Sequence, residues 1–174
     1  MRPFNWQGDR LVADLDPHEA ALLEQLVGEI QDLLSAPDVT ASDDRQATSR
    51  PADPVADRLL PAGHRSDPEL AEDFRSMTET GLRREKLADA AVVLGTIDGE
   101  GGRVELDEEA ALAWLRTLND VRLGIGVRLG VQEADDPQLR AEESGDPRWA
   151  AYSWLTVVQG LLVDVLASAP PRQP

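Results

Sequence analysis

The sequence predicts a mainly α-helical protein of about four principal helices with a small β-hairpin at the N-terminus. Apolar residues recur at three- and four-residue spacing over most of the chain, which is typical of amphipathic helices. Only the N-terminal residues and a short later stretch alternate as strands do. Asp-Pro pairs, which favour helix initiation, occur at five places. They stand at 16–17, 53–54, 67–68, 136–137 and 146–147.

Length and charge limit what kind of protein this is. The 174 residues suit a single domain spanning 1–174. Seventeen basic and thirty-three acidic residues give a net charge of −16, which disfavours binding to DNA phosphates and anionic membranes. The absence of cysteine excludes disulfides, thiol nucleophiles and thiolate metal sites.

The first half of the chain predicts a hairpin, a helix and a linker in that order. Residues 4–15 form two short strands about a Gly8-Asp9 turn. Asp16 caps a helix over about 17–36, which Pro37 ends. Residues 37–53 carry little that could be buried and are predicted to be a flexible linker.

The second half predicts three further helices and one more strand. A short helical turn at 54–60 precedes a helix over about 68–94, in which Gly81 could allow a kink. Val104–Leu106 could add a third strand to make a three-stranded antiparallel sheet, and Asp107 then caps the next helix. The acidic stretch 132–146 is predicted to be a second flexible linker.

A last helix over about 147–168 is apolar on nearly its whole surface. Such a helix is either central in a fold or part of a subunit interface, so we expect a homo-oligomer. The N-terminus has no apolar core of signal-peptide length, and no run in the chain approaches eighteen uncharged apolar residues. We therefore expect a cytoplasmic protein without a membrane association.

The residues that usually carry catalysis or metal binding are sparse. His18 and His64 stand far apart without a second ligand of metal-binding spacing, so no metal site is predicted. The glycine-rich loop at 98–102 lacks the Lys and Ser/Thr of a phosphate-binding loop. We predict no catalytic residue and no cofactor, and we expect a protein that is not an enzyme.

Residues 114–131 combine a core helix pattern with polar residues and glycines. Gly126 and Gly130 have the spacing that lets another helix approach closely, with Gly160 as a counterpart. The polar residues beside them then need partners, because unpaired buried charges are costly. They form either a structural network or a small-molecule or hydrolytic site. The candidates are Trp114, Asn119, Asp120, Arg122, Gly126, Arg128, Gly130 and Asp164.

Two stretches, 75–86 and 114–131, are net positive in an otherwise acidic chain. They could form a basic face for an acidic protein segment or for DNA, or their side chains could pair with nearby carboxylates. The first stretch contributes Arg75, Arg83, Arg84 and Lys86.

Three segments resemble an actinobacterial family of unknown function that includes the AosR-like oxidative-stress transcriptional regulators. The segments are 58–78, 104–131 and 152–166. The pattern Trp-Leu, Leu-Asn-Asp, Arg-Leu, Gly and Arg-Leu-Gly within 114–130 carries the likeness. The resemblance implies a cytoplasmic regulator that acts through a protein partner in transcription, such as a sigma factor or RNA polymerase.

The chain departs from that family pattern in two ways. Redox sensing in the described members relies on paired cysteines, and this chain has none. No helix-turn-helix is evident either, because the 17–36 helix leads into a linker and no Arg-rich recognition helix follows. Thiol sensing and direct promoter reading therefore do not carry over from the resemblance.

Overall fold

A computed structural model describes residues 2–36, 53–61 and 68–168. In these ranges the chain forms three strands and six helices. The strands are β1 (Arg2–Gln7), β2 (Arg10–Leu15) and β3 (Gly102–Leu106). The helices are α1 (Pro17–Ser35), α2 (Pro54–Leu59), α3 (Pro68–Thr96), α4 (Glu108–Leu129), α5 (Pro137–Ser144) and α6 (Pro147–Ala167). The prediction of a mainly helical chain with a small sheet is confirmed.

The three strands form one antiparallel sheet in the order β1, β2, β3. Gly8, at a φ of 68°, supplies the left-handed backbone in the turn between the first two strands. Ala13 of β2 pairs with Val104 of β3, and both side chains are buried. The predicted third strand is therefore present, and it makes the N-terminal hairpin part of a sheet with an apolar face.

Aspartate caps begin the helices, as the Asp-Pro pairs predict. The Asp16 carboxylate accepts hydrogen bonds from the backbone amides of Glu19 and His18, and Glu19 completes a capping box. The bond from the Glu19 amide, together with that from His18, lowers the pKa of the Asp16 carboxyl. Asp53, Asp136 and Asp146 cap α2, α5 and α6, which also begin at proline.

The helix count differs from the four principal helices that were predicted. The short turn expected at 54–60 is α2, and the unexpected addition is α5 within the predicted linker at 132–146. Asp136-Pro137 indicated its start, but α5 buries none of its residues and so has no apolar stripe to reveal it. A cation–π contact joins α5 to α6 instead: the Arg140 guanidinium lies 5.6 Å from the centroid of the Trp149 ring.

The longest helix, α3, continues through Gly81 to Thr96 without interruption. The predicted linker at 37–53 lies outside the described residues except for Asp53, which caps α2. Whether either linker is flexible, and whether the chain is one domain, stay predictions.

Trp114 of α4 lies where the sheet, α3 and α4 meet. Its side chain is fully buried and packs edge-to-face against Phe4 of β1, with ring centroids 6.2 Å apart. The indole Nε1 donates a hydrogen bond of 2.8 Å to the Thr96 hydroxyl near the end of α3. One residue therefore connects the sheet to two helices, which explains its place in the core.

The glycine-rich loop before β3 closes against the start of α1. Gly101 has a φ of 80°, and a Cβ there would lie 2.7 Å from the Pro17 nitrogen and 2.8 Å from the Asp16 carbonyl carbon. Both are backbone atoms that cannot turn aside. Gly101 therefore lets the loop fit tightly against the junction of β2 and α1.

We expect Gly101→Ala to destabilise the protein more than Gly8→Ala does. Both substitutions place alanine in a left-handed backbone, which costs about 1 kcal/mol. Gly8 has open space around it, whereas the Cβ at Gly101 adds a backbone clash of roughly 1 to 3 kcal/mol. Urea unfolding at constant slope measures the difference. Equal losses in the two variants would contradict this packing.

Candidate functional site

The predicted candidate residues lie mostly on α4, which contacts α3 on one side and α6 on another. The polar residues of this helix do not form one cluster. Asp120 faces α3, whereas Asn119 and Arg122 face α6. The site therefore divides into two separate sets of contacts.

The contact with α3 is a buried ion pair. Lys86 Nζ lies 2.7 Å from Asp120 Oδ1, and the side chains are 18% and 8% exposed. Burial raises the pKa of Asp120, and the hydrogen bond and charge of Lys86 offset part of that rise. The pair fixes the register between α3 and α4 at a position where either charge alone would be costly.

The contact with α6 is a looser polar network around Arg122. The guanidinium donates to the Tyr152 hydroxyl at 3.3 Å and to Asn119 Oδ1 at 3.4 Å, and it lies 5.8 Å from the centroid of the Tyr152 ring. Gln159 also donates to Asn119 Oδ1, at 3.4 Å. Arg122 Nε is buried without a hydrogen bond. Within the described part of the chain, this half-buried cation contacts no carboxylate.

The glycines of α4 act differently from the predicted close approach at Gly126, Gly130 and Gly160. A Cβ at Gly126 would lie 3.3 Å from the Tyr152 ring, so α6 does approach there. Gly130 is instead the left-handed C-cap of α4, with a φ of 65°, and Gly160 has open space around it. The second close approach is at Gly124, which faces Ile30 and Val55. Within the described chain, Gly130 is therefore a helix cap and Gly160 is not the counterpart of Gly126.

The remaining candidates do not join a common site. Trp114 belongs to the core, Arg128 pairs with Glu29 of α1 at 3.1 Å, and Asp164 is exposed on α6. The alternative prediction, a small-molecule or hydrolytic site of Asn119, Asp120, Arg122 and Asp164, is not assembled in the described residues. In the described ranges no group of three His, Asp or Glu side chains could hold a metal ion.

The predicted basic face is largely used inside the fold. Arg83 donates to the backbone oxygen of Leu34 at the end of α1, at 2.8 Å, and pairs with Glu79. Lys86 pairs with Asp120, so neither residue presents an uncompensated charge. Arg84 is exposed, and the side chain of Arg75 lies outside the described residues.

The second net-positive stretch is compensated in the same way at its first arginine. Arg116 forms a two-point contact with Asp89, at 2.6 and 2.7 Å.

Sequence reasoning missed Tyr152 and Gln159, the α6 partners of Arg122 and Asn119. These two residues lie seven positions apart in the sequence, but Tyr152 fits the apolar surface predicted for the last helix. Packing of α6 against α4 shows that both side chains point towards α4. The spacing of seven residues is the signal that could have identified them as one face.

One described helix, α6, is long and apolar enough to span a membrane by length and composition alone. The Val165 carbonyl oxygen of this helix accepts a hydrogen bond from the Trp6 indole of β1, at 2.9 Å. It also carries the polar contacts to α4. Those contacts join α6 to the rest of the fold along one side.

Comparison with known proteins identifies the family. The model of a domain of unknown function, DUF2017, matches residues 1–166. The chain belongs to the DUF2017 family. The family resemblance that the sequence suggested is thereby confirmed.

Named relatives of this DUF2017 chain are mycobacterial. The oxidative stress regulator AosR of Mycobacterium tuberculosis is 34% identical over 182 residues, covering 91% of this chain and 83% of the relative. The protein of the same name from Mycobacterium bovis matches with the same identity and coverage. A relative from Mycobacterium leprae is 33% identical over 90% of this chain and 82% of its own length. No solved structure matches the chain.

We expect Lys86→Met to destabilise the protein by roughly 3 kcal/mol, because it leaves the buried Asp120 carboxylate without its cation. Combining it with Asp120→Leu removes the orphaned charge, so the double variant recovers most of the lost stability. Chemical unfolding of the four proteins in the cycle measures the coupling. Arg84→Met is the matched control, because Arg84 is exposed on the same helix. A Lys86→Met variant as stable as the control would contradict the pairing.

The raised pKa of Asp120 predicts an unusual pH dependence. Between the ordinary aspartate pKa, about 3.9, and the raised value, the folded state binds more protons than the unfolded state. The contribution of Asp120 to the free energy of unfolding therefore falls as pH rises through this range. Asp120→Asn lacks that decrease. Unfolding of both proteins across the range should give a difference, wild type minus variant, that shrinks with rising pH. A growing difference would mean that Lys86 outweighs burial.

Proposed function

We propose that this DUF2017 protein is a cytoplasmic regulator that acts in transcription through a protein partner, with a sigma factor or RNA polymerase as the first candidates. The observation that carries the proposal is its identity of 34% to the oxidative stress regulator AosR over 91% of the chain. The match covers 83% of the relative's own length, so most of the two chains can be compared directly.

Charge favours a basic protein surface over DNA as the binding partner. The net charge of −16 steers the chain away from phosphates and towards positive surfaces. Most of the basic residues considered for a DNA face are used within the fold. Arg83, Lys86 and Arg116 each contact an acidic side chain. Among the described residues of the two stretches, exposed Arg84 and half-buried Arg122 have no acidic partner, and two cations make a small footprint for a duplex.

A catalytic role has less support than a regulatory one. The polar residues that could have formed a hydrolytic site are divided between the α3 and α6 sides of α4. An acid and a base would need to meet at one place for such chemistry. In the described ranges, the Asp120 carboxylate pairs with Lys86, and Asp164 is exposed on α6, away from Asp120.

The absence of cysteine also bears on how an oxidative signal would reach this regulator. No thiol step can take place on the chain itself. We therefore place the redox-sensitive step in the partner, and we assign this protein the role of transmitting it through binding.

We expect the purified protein to bind purified RNA polymerase or a sigma factor of its own host at micromolar concentration. The association rate should fall as salt rises, because an acidic surface is steered to a basic one. Surface-bound partner and a salt series measure both quantities. Lack of binding by the core polymerase and every host sigma factor would overturn the proposed partner class.

A gel-shift assay with duplex DNA tests the alternative function, direct DNA binding. Duplex DNA should show no gel shift with the wild type at low salt. A shift that Arg84→Glu weakens, with a steep dependence on salt, would assign the function to DNA instead. The same variant is the control for partner binding, where loss of one exposed arginine should not weaken attachment to a basic surface.

A further inference from the structure

The outward side of α6 is an exposed apolar face that the fold leaves uncovered. Val157, Leu161 and Val163 are 52%, 37% and 45% exposed, and they stand within seven residues of one another. Only 17% of the most apolar eighteen-residue window of α6 is buried. The α6 outer face comprises Thr156, Val157, Gly160, Leu161, Val163 and Asp164.

This exposure decides between the two explanations for an all-round apolar helix. The sequence allowed α6 to be either central in the fold or part of an interface. The structure packs only its inner side, through Leu155, Val158 and Leu162. The outer face therefore exposes apolar surface to water at a cost that an interface would remove.

Gly160 lies in the middle of the outer face with open space where a Cβ would stand. A second helix could approach closely at that point, with the flanking apolar side chains packing around it. Glycine in a helix interior costs about 1 kcal/mol relative to alanine, and no contact within the described chain explains it. Close approach of another helix would give this glycine a role.

Charge identifies the occupant as a second copy of this chain. Asp164 is the single charged residue between 149 and 167, and its carboxylate makes no contact in the described residues. Arg122 is the half-buried cation beside α6, and it has no carboxylate there. Each chain thus offers an uncompensated anion on α6 and an uncompensated cation beside it on α4, which is a self-complementary pair under twofold symmetry.

We propose that α6 forms an antiparallel homodimer interface with Gly160 at the twofold axis. In that arrangement the partner subunit's Asp164 lies opposite Thr156. Arg122 donates to the Tyr152 hydroxyl of α6, and it shares Asn119 Oδ1 with Gln159 of α6. Tyr152 and Gln159 flank Thr156, so the partner's Asp164 reaches the level of the Arg122 guanidinium. Two symmetric ion pairs then close the dimer.

The charge of Asp164 favours this direction over a parallel pairing. Residues 160 and 164 are about 6 Å apart along a helix, so the two Asp164 residues of an antiparallel dimer stand about 12 Å apart along the axis. A parallel pairing would place them face to face, which is repulsive. The proposal is independent of the transcription partner and describes the form in which the protein would meet it.

Single cysteines test the register, because the chain has none of its own. A disulfide needs Cα atoms within about 7 Å of each other. Gly160→Cys should therefore form a disulfide-linked dimer on oxidation, whereas Asp164→Cys and the exposed, open control Gly95→Cys should not. A crosslink at Asp164→Cys would overturn the antiparallel direction. No crosslink at Gly160→Cys would overturn the axis.

Light scattering and sedimentation test the interface itself. The wild type should be a dimer at micromolar concentration, Gly160→Arg a monomer, and the matched control Gly95→Arg a dimer. Asp164→Arg should weaken the dimer at least about tenfold, equivalent to ~1.4 kcal/mol. Combining Asp164→Arg with Arg122→Asp should restore the dimer.

A monomeric wild type would overturn the dimer, and two measurements would then identify the occupant of the face. Sedimentation of that monomer with phosphatidylcholine vesicles would assign the α6 outer face to a bilayer. Loss of polymerase or sigma-factor binding in Gly160→Arg, with binding retained in Gly95→Arg, would assign it to the transcription partner. Neither result decides whether the protein is a transcription regulator, which the binding experiment with wild-type protein and RNA polymerase or sigma factors tests separately.

Discussion

The burial of Trp114 is the interaction on which the rest of the structure depends. Its ring packs against Phe4 of the sheet, and its indole nitrogen bonds to Thr96 at the end of α3. A two-stranded hairpin is marginally stable alone, so the N-terminal strands depend on β3 and on the helices that cover their apolar face. Because Trp114 joins that sheet to two long helices, it places α4 in the centre of the fold and sets which of its faces each neighbour meets.

The polar residues of α4 show how one helix can separate structural and surface roles. Asp120 and Lys86 form a buried ion pair that fixes α3 against α4. Removing only one partner would destabilise the fold, because the other charge would remain buried and unpaired. One position away, Asn119 belongs to a looser network with Arg122, in which the guanidinium lacks a carboxylate among the described residues. The ion pair of Asp120 and Lys86 is complete within the chain. Within the described ranges, the Arg122 guanidinium still lacks an acidic partner, which another protein chain could supply.

Acidic charge and an exposed apolar helix together support the proposal that this protein binds other proteins. The excess of carboxylates disfavours nucleic acid, and the arginines that might have opposed it are largely paired within the fold. The α6 outer face is nearly free of charge, so two copies can approach there despite a net charge of −16 on each. Membership of the DUF2017 family, whose mycobacterial relatives are named oxidative stress regulators, agrees with this character.

The sequence by itself determined the helical class, the hairpin, the third strand and the starts of the helices, because these depend on local periodicity and on aspartate caps. It could not determine α5, which buries nothing, or the partners of Asp120 and Arg122, which come from helices 34 and 30 residues away. Tertiary structure also decided that Gly124, and not Gly130, is a point of close approach. A helix pattern shows which residues share a face, but only packing shows which neighbour that face meets.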